Sequence, residues 1–402
     1  MKKYPTPFII SAIALLIALS AFAVWGIPYF FQPPSIVPNG STYGSDTVRA
    51  HVTQILEEGQ ITLSENKQPY QVLLVDLLEG DYKGLLIEVD YGKRQLRSDT
   101  NRFTPGDEIF VLIGKDPTGV LTAYYVDYVR TKPLLILLGI FAASVILMGR
   151  WKGVGSLLAL SFTMLVIIGY IIPHILAGED PFRVSLIGST ILLGTTLYLT
   201  YGWNLKTHAS VLSMILALLL TGLLSVFFVS FTRLTGSGQE NALFLIQFSS
   251  VSINLRGLLL GGMIIGALGV LDDLVSSQSA AVFEIHDANP SLGFLRIFEK
   301  SMRIGRDHVA ATVNTLVLAY TGASLPLLLL FTLGSGNYGF LLNVGFVAEE
   351  VVRTLVGSLG LIAAVPISSL IATSLALYSD RLGEWRVLLG PETGDGEHRH
   401  SH

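Results

Sequence analysis

Hydrophobic residues run along this chain in long blocks separated by short polar stretches. Eight blocks approach the roughly 20 apolar residues that a spanning helix needs. They cover 8–31, 133–149, 154–176, 183–202, 209–232, 257–281, 309–333 and 354–378. Between the first and second blocks the pattern changes. Residues 48–56, 69–78, 84–91, 107–113 and 121–129 are rich in β-branched and aromatic side chains, and turn signals such as Glu79-Gly80-Asp81 and Pro105-Gly106-Asp107 bound them. That pattern predicts five strands. Five strands in so short an insert suggest a small barrel of OB or SH3-like type. The expected architecture is therefore an α-helical polytopic membrane protein of about eight transmembrane helices, with a small all-β domain after the first. Its parts are an N-terminal anchor at 1–32, a barrel domain at 33–132, a seven-helix membrane domain at 133–381 and a tail at 382–402. With Lys2, Lys3 and Ala21-Phe22-Ala23, the first block also has the layout of a signal peptide. Its apolar run continues to Phe31, which favours an anchor. Segment 240–253 is too short and polar to span, and is expected to be interfacial or re-entrant.

Composition agrees with a membrane location. Hydrophobic residues are 51% and charged residues 14%, against about a quarter charged in soluble domains. The absence of cysteine removes disulfides, Cys zinc sites and Cys nucleophiles. Residues 33–132 hold 10 Lys+Arg and 14 Asp+Glu, a balance of -4 that equals the net charge of the whole chain. No global basic field favours nucleic acid. With the N-terminus inside, one side of the membrane receives twelve Lys+Arg of the remaining sixteen, and the other receives Arg183, Arg233, Arg256 and Arg353. The positive-inside rule then puts both termini in the cytoplasm and residues 33–132 outside.

The candidate chemistry lies in the sixth block. Asp272 and Asp273 follow fifteen uncharged residues, among small ones such as Gly261, Gly262, Gly266 and Gly269. Ionisable groups inside a bilayer are costly and mark internal paths by default, while small residues permit close helix packing. Helical spacing puts Asp273, Ser277, Ala280 and Glu284 on one stripe, and Asp272, Ser276 and Ser279 on the next. A carboxylate held away from water can take up and release a proton, or ligate a hard cation. The plain alternative is an ordinary helix end just past the hydrocarbon edge.

Further along, an amphipathic stretch from Arg296 leads to Arg306, Asp307 and His308 at the mouth of the seventh block, with Asn314 two turns deeper. These four are candidates for a gate or polar network, or else for interfacial anchoring and interhelical contact. Arg303 and Asp307 stand i, i+4 and can pair. Glu349, Glu350 and Arg353 open the eighth block, as a solvated helix start or an outer vestibule for cations. His398, His400 and His402 lie in the tail, where they could chelate weakly. Tyr124 and Tyr125 are expected to divide between barrel core and surface.

The run GVLDDLVSSQ and the block GRDHVAATVNTLVLAYTGASLPLLLL resemble the YibE/F family of bacterial multi-pass membrane proteins. The resemblance covers essentially the whole chain and implies location and topology, with no settled activity. More weakly, GVLDDLVSSQSAAVFE is similar to the intramembrane acidic motif of resistance-nodulation-division pumps and the related SecD/SecF proteins. On that similarity Asp272 and Asp273 match the proton-carrying pair and Glu284 the trailing acid. The outer domain is far too small for a pump porter domain.

Three classes of function follow. One is an ion- or proton-coupled permease that moves a small solute or cation. A second is a non-transport assembly or regulatory factor whose outer barrel binds a protein partner. The third, an intramembrane enzyme, lacks support: the two Asp diverge by about 100° on one helix, no second apolar block carries an Asp, and GxSxG and Walker A motifs are absent. No cofactor and no metal are expected; the lipid bilayer is the one certain partner.

Overall fold

The computed structural model describes residues 47–63, 66–93, 102–115, 120–238, 252–326 and 338–379, with Ala242, Phe244, Leu245, Leu329 and Leu389. The expected anchor at 8–31, most of 240–253 and the tail histidines lie outside them. The chain divides into two compact units, one of them Pro38–Leu147 and the other including Met148–His402.

In the first unit β1 (Thr47–Leu63), β2 (Asn66–Leu77), β3 (Leu86–Tyr91), β4 (Glu108–Lys115) and β5 (Leu121–Tyr128) close a barrel in the order β1-β2-β3-β5-β4. The strands fall where the alternation predicts. A crossover lays β5 parallel to β3 through Val89↔Ala123 and Asp90↔Tyr124, and β4 closes onto β1 through Ala50↔Ile109. This is the five-stranded Greek-key order of an OB barrel. Alternate residues point inward, so Val52, Leu73, Val75, Val89 and Ile109 are fully buried. Gln71 reaches from β2 to pin the segment before β4: its Oε1 accepts from Phe103 N at 2.8 Å and its Nε2 donates to Phe103 O at 3.2 Å. Phe103 thereby packs edge-on against Tyr91 at 4.6 Å and stacks on Tyr128 at 4.6 Å. Tyr125 packs on the same rings, whereas Tyr124 is 46% exposed, as expected of the pair.

β1 and β2 pair as far as Leu63↔Asn66. Along this arm Tyr70 covers Gly59, where a Cβ would come within 2.9 Å of the ring. Tyr70 also donates to Glu57 at 2.6 Å, and Lys93 Nζ donates to the other carboxylate oxygen at 2.6 Å.

Among the described residues, six helices are long and apolar enough to cross a membrane by length and composition: α1 (Thr131–Arg150), α2 (Gly153–Leu176), α3 (Pro181–Tyr201), α4 (Leu205–Phe231), α5 (Leu255–Ala288) and α7 (Gly345–Tyr378). They match six of the eight expected spans. Arg150, at φ 49°, separates α1 from α2, and α2 carries a π-helical turn at Ile167–Ile171. The amphipathic stretch and the start of the seventh expected span form one helix, α6 (Phe294–Ala323), which is not among the six. That span is only partly inside the described residues.

In the second unit α3, α5 and α7 run one way, and α4 and α6 the other. Gly261 on α5 lies against Pro181 at the start of α3, Val229 near the end of α4 joins Leu259, and Gln278 on α5 bonds both Ser301 on α6 and Ser369 on α7. A core of Leu193, Met214, Leu218, Ile264, Leu274 and Val365 joins α3, α4, α5 and α7. Gly360 allows α7 to approach α4, since a Cβ there would run into Thr221.

Candidate functional site

α5 has 34 residues, or about 51 Å at 1.5 Å per residue, more than the roughly 30 Å hydrocarbon core. Seventeen of them precede Asp272 and sixteen follow it. The acidic pair is therefore at the middle of the helix and does not form its end.

Adjacent residues on a helix diverge by about 100°, and the two carboxylates accordingly face different neighbours. Asp272 lies on a groove of about 330 Å³ shared with α2 and α3, whose wall includes Thr163, Thr196 and Tyr201. Its Oδ1 is buried, and among the described residues it has no hydrogen-bond partner and Asp272 forms no ion pair. Asp273 is exposed and borders a second pocket of about 120 Å³, with Lys206, Thr207, Ser210, Ser276 and Ser277. Tyr201 is in both walls, and its hydroxyl is 3.4 Å from Ser276 Oγ.

Local structure explains this meeting. Only residues 202–204 join α3 to α4. Asn204 caps α4 by accepting from Thr207 N at 2.8 Å and Thr207 Oγ1 at 3.0 Å. The cap sets the first turn of α4, hence Lys206 and Thr207, beside the last residue of α3. Lys206 and Asp273 share the pocket without an ion pair among the described residues.

The other candidates separate. Ser277, one turn beyond Asp273, is 3.3 Å from His308 Nδ1, so His308 on α6 reaches the helix of the acidic pair. Arg306, Asp307 and Asn314 are exposed on α6, and no Arg303–Asp307 ion pair forms among the described residues. Glu284 is exposed three turns beyond the pair. Glu349 departs from the expected solvated helix start. It is only 3% exposed and accepts from Gly238 N at 3.1 Å, clamping the loop after α4. Glu350 and Arg353 approach to 3.9 Å on the same helix.

Sequence reasoning passed over Tyr201, Lys206 and Thr196. The signal was available in TTLYLTY at 195–201, where hydroxyls recur inside an apolar block. Among the glycines of α5, a Cβ at Gly261 would come within 2.5 Å of Ser185 Oγ and 3.0 Å of Pro181 O, whereas Gly262 and Gly269 have open space.

The family model of YibE/F-like proteins matches residues 137–377. The chain belongs to the YibE/F family. The matched stretch starts after the barrel and contains every candidate from Asp272 to Arg353. No curated protein and no solved structure matches the chain. The YibE/F assignment and the six apolar helices together make it a membrane protein.

Proposed function

We propose that this YibE/F-family protein is an ion- or proton-coupled permease of the plasma (inner) membrane, with both termini in the cytoplasm and residues 33–132 outside. The observation that carries the reading is Asp272: a carboxylate at the middle of an apolar helix, on a groove between α2, α3 and α5, with a buried oxygen that no group among the described residues satisfies. An enclosed carboxylate is tolerated when a proton or a cation accompanies it. Moving that companion between two sides is the task of a coupled carrier. Asp273 opens on the opposite wall of Tyr201, toward Lys206 and, through Ser277, His308. The two carboxylates then act as successive stations, with Tyr201 between them and Lys206 and His308 as the gate. Glu284 is the further acid on the Asp273 side. Glu349, Glu350 and Arg353 stand at the opposite end of the bundle, where they shape the outer vestibule.

The test is proton flux into proteoliposomes loaded with a pH-sensitive dye, driven by a potassium diffusion potential. Wild type conducts, and Asp272→Asn lowers the flux about ten-fold or more while leaving folding intact. An Asp272→Asn protein with wild-type flux overturns the mechanism.

A second reading draws on the barrel. A groove of about 660 Å³ crosses its β2, β3 and β5 face, with exposed Tyr124 beside Glu88 and Lys93. An assembly or regulatory factor would hold a protein partner there.

A further inference from the structure

We infer that the groove over Asp272 is a binding site for a compact alkylammonium ion, a single positive charge on a short aliphatic body. The inference deepens the permease reading and rests on it.

Charge gives the first argument. Among the described residues Asp272 is the only charged side chain on the groove's wall, and its Oδ1 has no partner among them. One carboxylate withdrawn from water balances one positive charge. The direction of the hydroxyls gives the second. Thr163 Oγ1 donates to Ala159 O at 2.9 Å, and Thr196 Oγ1 donates to Leu192 O at 2.8 Å. Their hydrogens are engaged within their own helices, so both oxygens offer lone pairs to the groove. The Asp272 carboxylate and these two hydroxyls together form an acceptor set, which suits an ammonium with its three donors and no acceptor.

Size and walls give the third. At about 330 Å³ the groove is at the small end of ligand sites, which run from roughly 300 to 1,000 Å³. Leu160, Ile167, Leu193, Ile265 and Leu268 make much of its wall aliphatic. A hard divalent cation wants about six or more oxygens and would leave that apolar wall unused. The Asp273 pocket is a poorer cation site: it is about 120 Å³ and holds Lys206. The two halves of the acidic pair therefore divide the work, Asp272 holding the organic cation and Asp273 facing the gate.

The experiment measures equilibrium binding of pentylammonium and of 1-pentanol, its neutral counterpart, to the full chain in lipid nanodiscs by calorimetry. Wild type should bind pentylammonium saturably and the alcohol about ten-fold or more weakly. Asp272→Asn should abolish that preference and Asp273→Asn should keep it. Gly269→Leu supplies a second arm. Gly269 lines the groove and has no atom within 4 Å of an added Cβ, so the larger side chain should fill the groove and block pentylammonium with Asp272 still in place. Equal binding of amine and alcohol, a preference that survives Asp272→Asn, or a response to sodium alone overturns the inference. Proton flux without pentylammonium binding removes this site and leaves the permease standing. Binding without flux supports the site and removes the permease.

Discussion

Glu57 shows how much one side chain can organise on the barrel arm. Its two oxygens accept from Tyr70 and Lys93 at 2.6 Å each, and the Lys93 ammonium also rests 5.2 Å from the Tyr70 ring centre. The Lys93 hydrogen bond, then the Tyr70 hydroxyl, hold the Glu57 carboxyl below the usual carboxylate range. A depressed acid pKa stabilises the fold above the unfolded value, and the increment is lost as pH falls through the folded value. Amide protection along 57–72 in the full chain, taken relative to the intrinsic exchange rate, should therefore fall below about pH 4. In Glu57→Gln the arm should open faster at neutral pH and lose that acid-dependent step. Identical pH profiles for the two proteins would show that the Glu57 contacts do not hold the arm. The same scale separates Asp272 from Asp273. They are neighbours in sequence, yet the roughly 100° between adjacent helix positions puts them on different pockets, with Tyr201 as the shared wall.

Among the elements, α5 makes the contacts on which the bundle turns. Gln278, 1% exposed, donates through Nε2 to Ser301 O on α6 and Ser369 Oγ on α7, both at 2.8 Å. Gly305 on α6 leaves room for this amide, since a Cβ there would stand 2.9 Å from Gln278 Oε1. An interhelical hydrogen bond inside a bilayer is worth roughly 0.6 kcal/mol on average, so Gln278→Leu should cost about 1 kcal/mol of unfolding free energy. It should also loosen α6 selectively, read as faster amide exchange around Ser301 than around Ser210. Uniform exchange, or no loss of stability, would mean that packing alone holds α6. Nothing in the sequence marked Gln278, because a lone amide in SSQSAAVF carries no periodic signal. What was legible followed from periodicity: the five strands, six apolar helices and the acidic pair's place on α5. What was not legible came from neighbours distant in sequence. Lys206 is 67 residues before Asp273, and only the tight α3–α4 connection brings them together. Glu349 looked like a solvated helix start, and its burial follows from a loop 111 residues away. The OB order likewise needs the β3–β5 crossover, which local strand patterns do not specify.

For the whole molecule, the decisive question is which side of the membrane holds the barrel. The charge count gives a direction. On the proposed eight-span topology one side receives twelve Lys+Arg outside the barrel domain and the other receives four, and the cytoplasmic side takes the excess. The structure adds a consistency. Lys206, Arg296, Lys300 and Arg303 all fall at the bundle end where α4 and α6 begin, while Arg183, Arg256 and Arg353 fall where α3, α5 and α7 begin. The chain contains no cysteine, so any thiol introduced is the single reactive one. Asp81 is exposed in the barrel's β2–β3 connection, and Lys300 is exposed on α6. Asp81→Cys should react with a membrane-impermeant maleimide in intact spheroplasts, and Lys300→Cys only after the membrane is broken. If both label in intact cells, α6 does not start in the cytoplasm. If the pattern is reversed, the barrel is cytoplasmic and the Lys206–His308 gate faces outward. That outcome would invert the direction of coupling while leaving the chemistry of Asp272 untouched, because the groove is set by α2, α3 and α5 whichever way the bundle is inserted.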